Sequence, residues 1–164
     1  MENNISEASV LSSPRDFSFK KKGSMKFYIA ARFDNKDKVK EIYNKLKEKG
    51  HDVHTDWTVH PPFYPYSSDP ALCEKFSEED IKGAMGCDVF VLLADEHSNG
   101  NPNGHNHGRG MFIELGAAMA SLIEKGKPKV YVIGPDNDKC IFHFHKCVTR
   151  FDTIEEVLEK LENA

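Results

Sequence analysis

Three short apolar runs limit what this chain can fold into. They are Phe27-Tyr28-Ile29-Ala30-Ala31, the stretch Val89-Phe90-Val91-Leu92-Leu93 behind Asp88, and Val130-Tyr131-Val132-Ile133 behind Lys129. In each, consecutive positions are apolar, not alternate ones. A strand with one wet face alternates; a continuous run calls for cover on both faces. Between the runs the apolar residues recur at helical spacing. Val39, Ile42, Tyr43 and Leu46 form one such stripe, ended by Gly50, and Phe112, Leu115, Met119 and Leu122 form another. Strands that alternate with helices predict an α/β fold: a single domain with a mostly parallel five-stranded sheet and helices on both faces, Rossmann- or flavodoxin-like.

The rest of the chain fits around this frame. Asp52-Val53-His54-Thr55 reads as a second strand, and Cys140 to Phe151 should hold the fifth. Trp57 to Leu72 carries four prolines and reads as a loop. Ser77 to Met85 reads as a helix with Ser77 as N-cap and Asp80 three places on. Asp152 and Glu155 are expected to form a capping box ahead of a last helix with core face Ile154, Val157, Leu158 and Leu161. Met1 to Ser24 is polar and without apolar periodicity, so 1–24 is expected to be a disordered tail and 25–164 the domain. No internal repeat is evident.

The 164 residues suit one domain, and a net charge of -4 leaves no basic footprint for a nucleic acid polymer. No apolar run approaches the roughly 20 residues that a membrane helix needs, and the N-terminus has no signal-peptide stretch. Four unevenly spaced cysteines make no disulfide framework at this length, so reduced thiols in the cytoplasm are the expectation.

Open parallel sheets bind ligands at the carboxyl ends of their strands. Three side chains fall where that rule puts a site: Tyr28 on the first strand, Asp80 on the helix entering the central strand, and Glu114 on the helix after a Gly-rich loop. Read as a first-turn residue, Glu114 would meet the positive end of the helix dipole. Its pKa would fall and it would stay ionised, as a nucleophile or a stabiliser of a sugar cation must. A second carboxyl group could then donate a proton, as in retaining glycosidases. Each residue alone also has an ordinary reading: a favourable first-turn charge for Glu114, a reinforced helix start for Asp80, a core ring for Tyr28.

Read together, the motifs resemble the nucleoside 2-deoxyribosyltransferase family, which includes 2′-deoxynucleoside 5′-phosphate N-hydrolases. Met25-Lys26-Phe27-Tyr28-Ile29-Ala30-Ala31-Arg32-Phe33 is similar to the family's opening strand with its sugar-contacting tyrosine. Asp80 lies eight residues before Cys87-Asp88, the spacing of the family's catalytic aspartate. Gly108-Arg109-Gly110-Met111-Phe112-Ile113-Glu114-Leu115-Gly116-Ala117-Ala118 is similar to its Gly-rich turn and nucleophilic glutamate, and Gly126-Lys127-Pro128-Lys129-Val130 to its return to the next strand. The resemblance spans residues 26 to 162. It implies cleavage of the N-glycosidic bond of a nucleoside or nucleotide, the sugar passing to water or to another base, with no cofactor. It implies Glu114 as nucleophile, Tyr28 orienting it and Asp80 helping the base depart. It also places Ala30 and Arg32 against the substrate and makes a homo-oligomer, a dimer or larger, the expected assembly. Gly116, Ala117 and Ala118 would let the helix lie close to the sheet.

There is one departure from the pattern. Six residues before the nucleophile, where many of the transferases have aspartate and the phosphohydrolases serine, stands Gly108. The group that reads the sugar's 5′ end is thus missing, although Arg109 and the backbone N–H groups of Gly108 and Gly110 could bind a phosphate. The loop before it carries His97, His105 and His107, and a mobile polar loop without a ligand is an equal reading. Trp57 could stack on a base with Asp56 on the base edge, or simply cap the core. His143 and His145 would share a strand face as metal ligands can, but match no standard zinc spacing, so no metal is expected. Two other readings stay open: a different ribosyl-bond hydrolase, of phosphoribohydrolase or NAD-cleaving type, and a non-catalytic nucleotide sensor.

Overall fold

A computed structural model describes residues 23–94 and 108–164. Most of the expected tail, and the loop with His97, His105 and His107, lie outside the described residues. Ser24, at the end of that tail segment, is tied to the domain: its hydroxyl donates to Asp52 Oδ2 at 3.0 Å.

Five strands form the sheet: β1 (Lys26–Ala30), β2 (Asp52–Val53), β3 (Val89–Leu93), β4 (Lys129–Ile133) and β5 (Val148–Phe151). They lie in the order β2-β1-β3-β4-β5, and every pairing is parallel. The three apolar runs are the three central strands, and β3, in the middle, is buried along its whole length. Four helices cover the sheet: α1 (Lys36–Glu48), α2 (Pro70–Gly86), α3 (Arg109–Lys125) and α4 (Ile154–Glu162). α1 and α4 share one face, joined by Lys45–Glu155 and Lys49–Glu162 ion pairs at 2.8 and 3.2 Å. α2 and α3 pack together on the other. The stripes read from sequence are the buried faces of α1 and α4, residue for residue. Among the described residues, no helix is long and apolar enough to cross a membrane, and all four cysteines are free.

Several boundaries differ from the sequence reading. α2 begins at Pro70, not Ser77. Asp69 caps it by accepting from Leu72 N at 2.9 Å, and the ring of Pro70 costs nothing at a position whose N–H has no helical partner. Asp80 is therefore a mid-helix residue. β2 ends at Val53, because the Thr55 carbonyl accepts from the Tyr43 hydroxyl and Asp56 caps a 3-10 turn at Trp57–Val59. The cap of α4 is Thr153, bonded to Glu156 N, with Glu156 reaching back to Asp152 N; the expected Asp152–Glu155 box is one residue out of register. Cys140 to Phe144 is not strand: Ile141–Phe144 is a 3-10 turn, and β5 follows it.

One glycine decides how closely α2 can approach the sheet. A Cβ on Gly83 would stand 2.7 Å from both Thr55 Oγ1 and Tyr28 Cε2. Gly116, expected to play that part for α3, faces open space, and of the three small residues only Ala118 is fully buried.

Candidate active site

In this strand order the chain reverses direction between β1 and β3, and the carboxyl ends of those strands open on a crevice. A cavity of about 810 Å³ lies there. On one side it is lined by Asp80, Gly108, Arg109, Gly110 and Glu114, and on the other by rings from the proline-rich segment and α2. Glu114 and Asp80 come from adjacent helices, and Tyr28 lies beneath them, fully buried and stacked on Phe90. The sheet alternation turns Tyr28 toward α2 and α3, whereas its neighbour Ile29 bonds to Tyr43 of α1.

The electrostatics differ from the expectation. α3 starts at Arg109, so Glu114 is in the second turn and not the first. The dipole acts strongly only on the first turn, and burial dominates. Burial, reinforced by the charge of Asp80, pushes the Glu114 carboxyl up to about 8, against the pull of the Tyr28 hydroxyl. Asp80 is also raised by burial, opposed by His60 and by the same hydroxyl. The Tyr28 phenol is held well above its ordinary value, first by burial and then by the two carboxylates. Two carboxyl groups that burial and mutual charge both push upward titrate as a pair, not as independent acids. The Tyr28 hydroxyl influences both, yet Tyr28 Oη and Asp80 Oδ1 are fully buried with no partner in hydrogen-bonding geometry among the described residues. Buried polar atoms are seldom left so.

The other sequence candidates fall in different places. Gly108 is the N-cap of α3 at φ 62°, where a side chain is strained, and a Cβ there would meet Arg32 Cγ at 2.8 Å. Arg32 thus lies along the start of α3; its Nε is buried and has no partner among the described residues. Arg109 is the exposed first residue of α3 on the cavity wall, while a side chain at Gly110 would enter open space. Ala30 is fully buried within β1, and the next residue, Ala31, is the one that reaches the cavity. Trp57 lines the cavity but is anchored as a core edge: its indole N–H donates to the Ile29 carbonyl at 2.6 Å. The Asp56 carboxylate is committed to Thr58 N and Oγ1 and is not among the cavity-lining residues. His143 and His145 share no strand face. His143 is buried with Nδ1 on the Asn137 carbonyl, and His145 Nδ1 meets Cys147. No cluster of three or more His, Cys, Asp and Glu side chains suited to a metal occurs among the described residues.

Sequence reasoning passed over one whole wall. His60, Phe63, Tyr64, Tyr66 and Phe76 line the cavity, and the run His60-Pro61-Pro62-Phe63-Tyr64-Pro65-Tyr66 was its only visible sign.

The fold and cavity define an α/β protein with a carboxylic acid pair and a buried phenol at its topological switch point. No protein-family model matches the chain, and no curated protein matches it. The chain is similar to the solved structure of the CMP N-glycosidase BcmB of Clostridium botulinum, at 22% identity and a TM-score of 0.44, over 85% of this chain and 99% of that one.

Proposed function

We propose that this protein cleaves the N-glycosidic bond of a nucleoside 5′-monophosphate, with Glu114 as nucleophile. The observation that carries this reading is the meeting of Glu114 and Asp80 on one cavity, with Tyr28 buried beneath them and Arg109 on the same wall. Asp80 passes its proton to the departing base as the bond from the anomeric carbon to nitrogen breaks. The Glu114 carboxylate takes the place of the base at that carbon, or stabilises the cation forming there. Water then attacks the anomeric carbon, Glu114 leaves, and Asp80 recovers a proton from the water. The chemistry needs a proton on Asp80 when the base departs, and the Tyr28 hydroxyl beside both acids offers it a route. Incubating the protein with nucleosides, their 5′-monophosphates and NAD, and detecting free base by chromatography, tests the reading; no base from any of them rejects it.

Two expectations follow from the electrostatics. For the free enzyme, kcat/KM should fall as pH rises past about 8, where the acid pair loses its last proton. A rate still climbing at pH 9.5 would mean that no carboxylic acid donates the proton. The second concerns the 5′ end. An Arg fork can donate two parallel hydrogen bonds to a phosphate, and α3 begins at the same place. Arg109→Ala should cost about 10- to 150-fold more in kcat/KM on a 5′-monophosphate than on the matched nucleoside. Equal losses on both, or a wild type that prefers the free nucleoside, would remove Arg109 from this role.

A further inference from the structure

Trp57 is the ring that the sequence offers for stacking on a base, but it is fixed in the core edge, with its indole N–H spent on Ile29. Another ring on the same wall is better prepared. His60 lies flat on Phe76, with centroids 3.8 Å apart and planes 7° from parallel. Phe76 in turn meets Phe63 in an edge contact, 6.2 Å away at 61°, so a third ring braces the stacked pair. His60 is braced at its rim as well, with Nε2 3.4 Å from Glu79 Oε2 and its backbone N–H on the Trp57 carbonyl at 3.0 Å. Both His60 and Phe76 line the cavity.

The position of the pair matters as much as its rigidity. Phe76 and Asp80 are four residues apart on α2, one turn, and so point the same way. A planar group laid against this pair from the cavity side can therefore turn its edge toward Asp80, which lines the same cavity. Two polar groups of this wall are engaged already, the Cys73 thiol with the Tyr66 carbonyl and the Ser77 hydroxyl with the Glu74 carbonyl. Such a wall recognises a ring by its face.

The geometry points to His60, held by Phe76 and Glu79, as the platform on which the leaving base stacks, with its acceptor nitrogen toward Asp80. This rests on the N-glycosidic reading for the identity of the ligand. Stacking of a base on an aromatic side chain is sequence-tolerant, because every base has a π face. The platform therefore supplies affinity for bases in general.

Binding can be measured without turnover in a Glu114→Gln background, by calorimetry with AMP, GMP, CMP, UMP and their 2′-deoxy counterparts. For the tightest binder, His60→Leu should weaken binding about 5- to 150-fold, and His60→Phe should restore most of it. Binding unchanged in His60→Leu, equal losses in the Leu and Phe variants, or no binding of any monophosphate to the parent would each overturn the platform. Base release is scored separately in the wild type. Its absence, with the binding order as expected, rejects the glycosidase and leaves the platform standing.

Discussion

Glu114→Ala should lose at least ~99% of base release, a barrier rise of about 3 kcal/mol or more, while keeping its fold. The reason lies in the role proposed for the carboxylate: as the bond to the base stretches, positive charge gathers at the anomeric carbon. Few other groups on the wall of the cavity can meet that charge. Alanine removes both the charge and the nucleophilic oxygen. Glu114→Gln keeps the shape and hydrogen-bonding capacity without the charge, and it should be as inactive. Glutamine failing while alanine retained activity would point to a steric effect. Near-wild-type turnover in either variant would show that another group carries the chemistry. Thermal unfolding of both variants separates lost chemistry from a lost fold.

The second large effect is on stability, and its sign is opposite to the usual cost of altering a site. Burial raises the Glu114 carboxyl from an ordinary 4.5 to about 8, so the folded protein holds that proton more tightly than the unfolded chain does. The stability due to this protonated acid is fully present below about pH 4.5 and is lost as pH rises through about 8. Above that range the fold carries a buried charge at a cost on the order of 2 to 5 kcal/mol. Glu114→Gln carries no such charge. It should melt roughly 5 °C or more above the wild type at pH 8.5, and within about 2 °C of it at pH 4.5. A shift of the same size at both pH values would reflect packing alone. A wild type as stable at pH 8.5 as at pH 5 would show that Glu114 is ionised without strain. The inactive variant should thus be the sturdier protein, the trade expected where an acid is kept dry for chemistry.

The fold was legible because its signals are local. The burial of β1, β3 and β4 shows as continuous apolar runs, and the stripes Val39, Ile42, Tyr43, Leu46 and Ile154, Val157, Leu158, Leu161 announce α1 and α4 by spacing alone. The start of α2 was hidden because Pro70 closes a proline-rich loop and also opens a helix, and only the Asp69 cap tells the two apart. Asp80 and Glu114 could be picked out by their motifs, but the state of Glu114 could not. Its place in the helix suggested a lowered pKa, whereas burial, and after it the charge of Asp80 from a distant part of the chain, raise it against the pull of the Tyr28 hydroxyl. His60 showed only as the start of an aromatic, proline-rich run, with nothing to mark its stacking. Its stacking partner is sixteen residues away across a loop, and no local pattern encodes a ring-on-ring contact of that span.

Gly83 gives the acid pair its geometry without touching a ligand. α2 can rest on Tyr28 and Thr55 because position 83 has no Cβ, and Asp80 stands one turn earlier on the same helix. A single methyl group there would act as a shim, lifting the helix and carrying Asp80 away from Glu114 and the phenol. The reach between the two acids is therefore written at a position with no functional group. A search for activity determinants that ranks residues by their reactive atoms would pass over it.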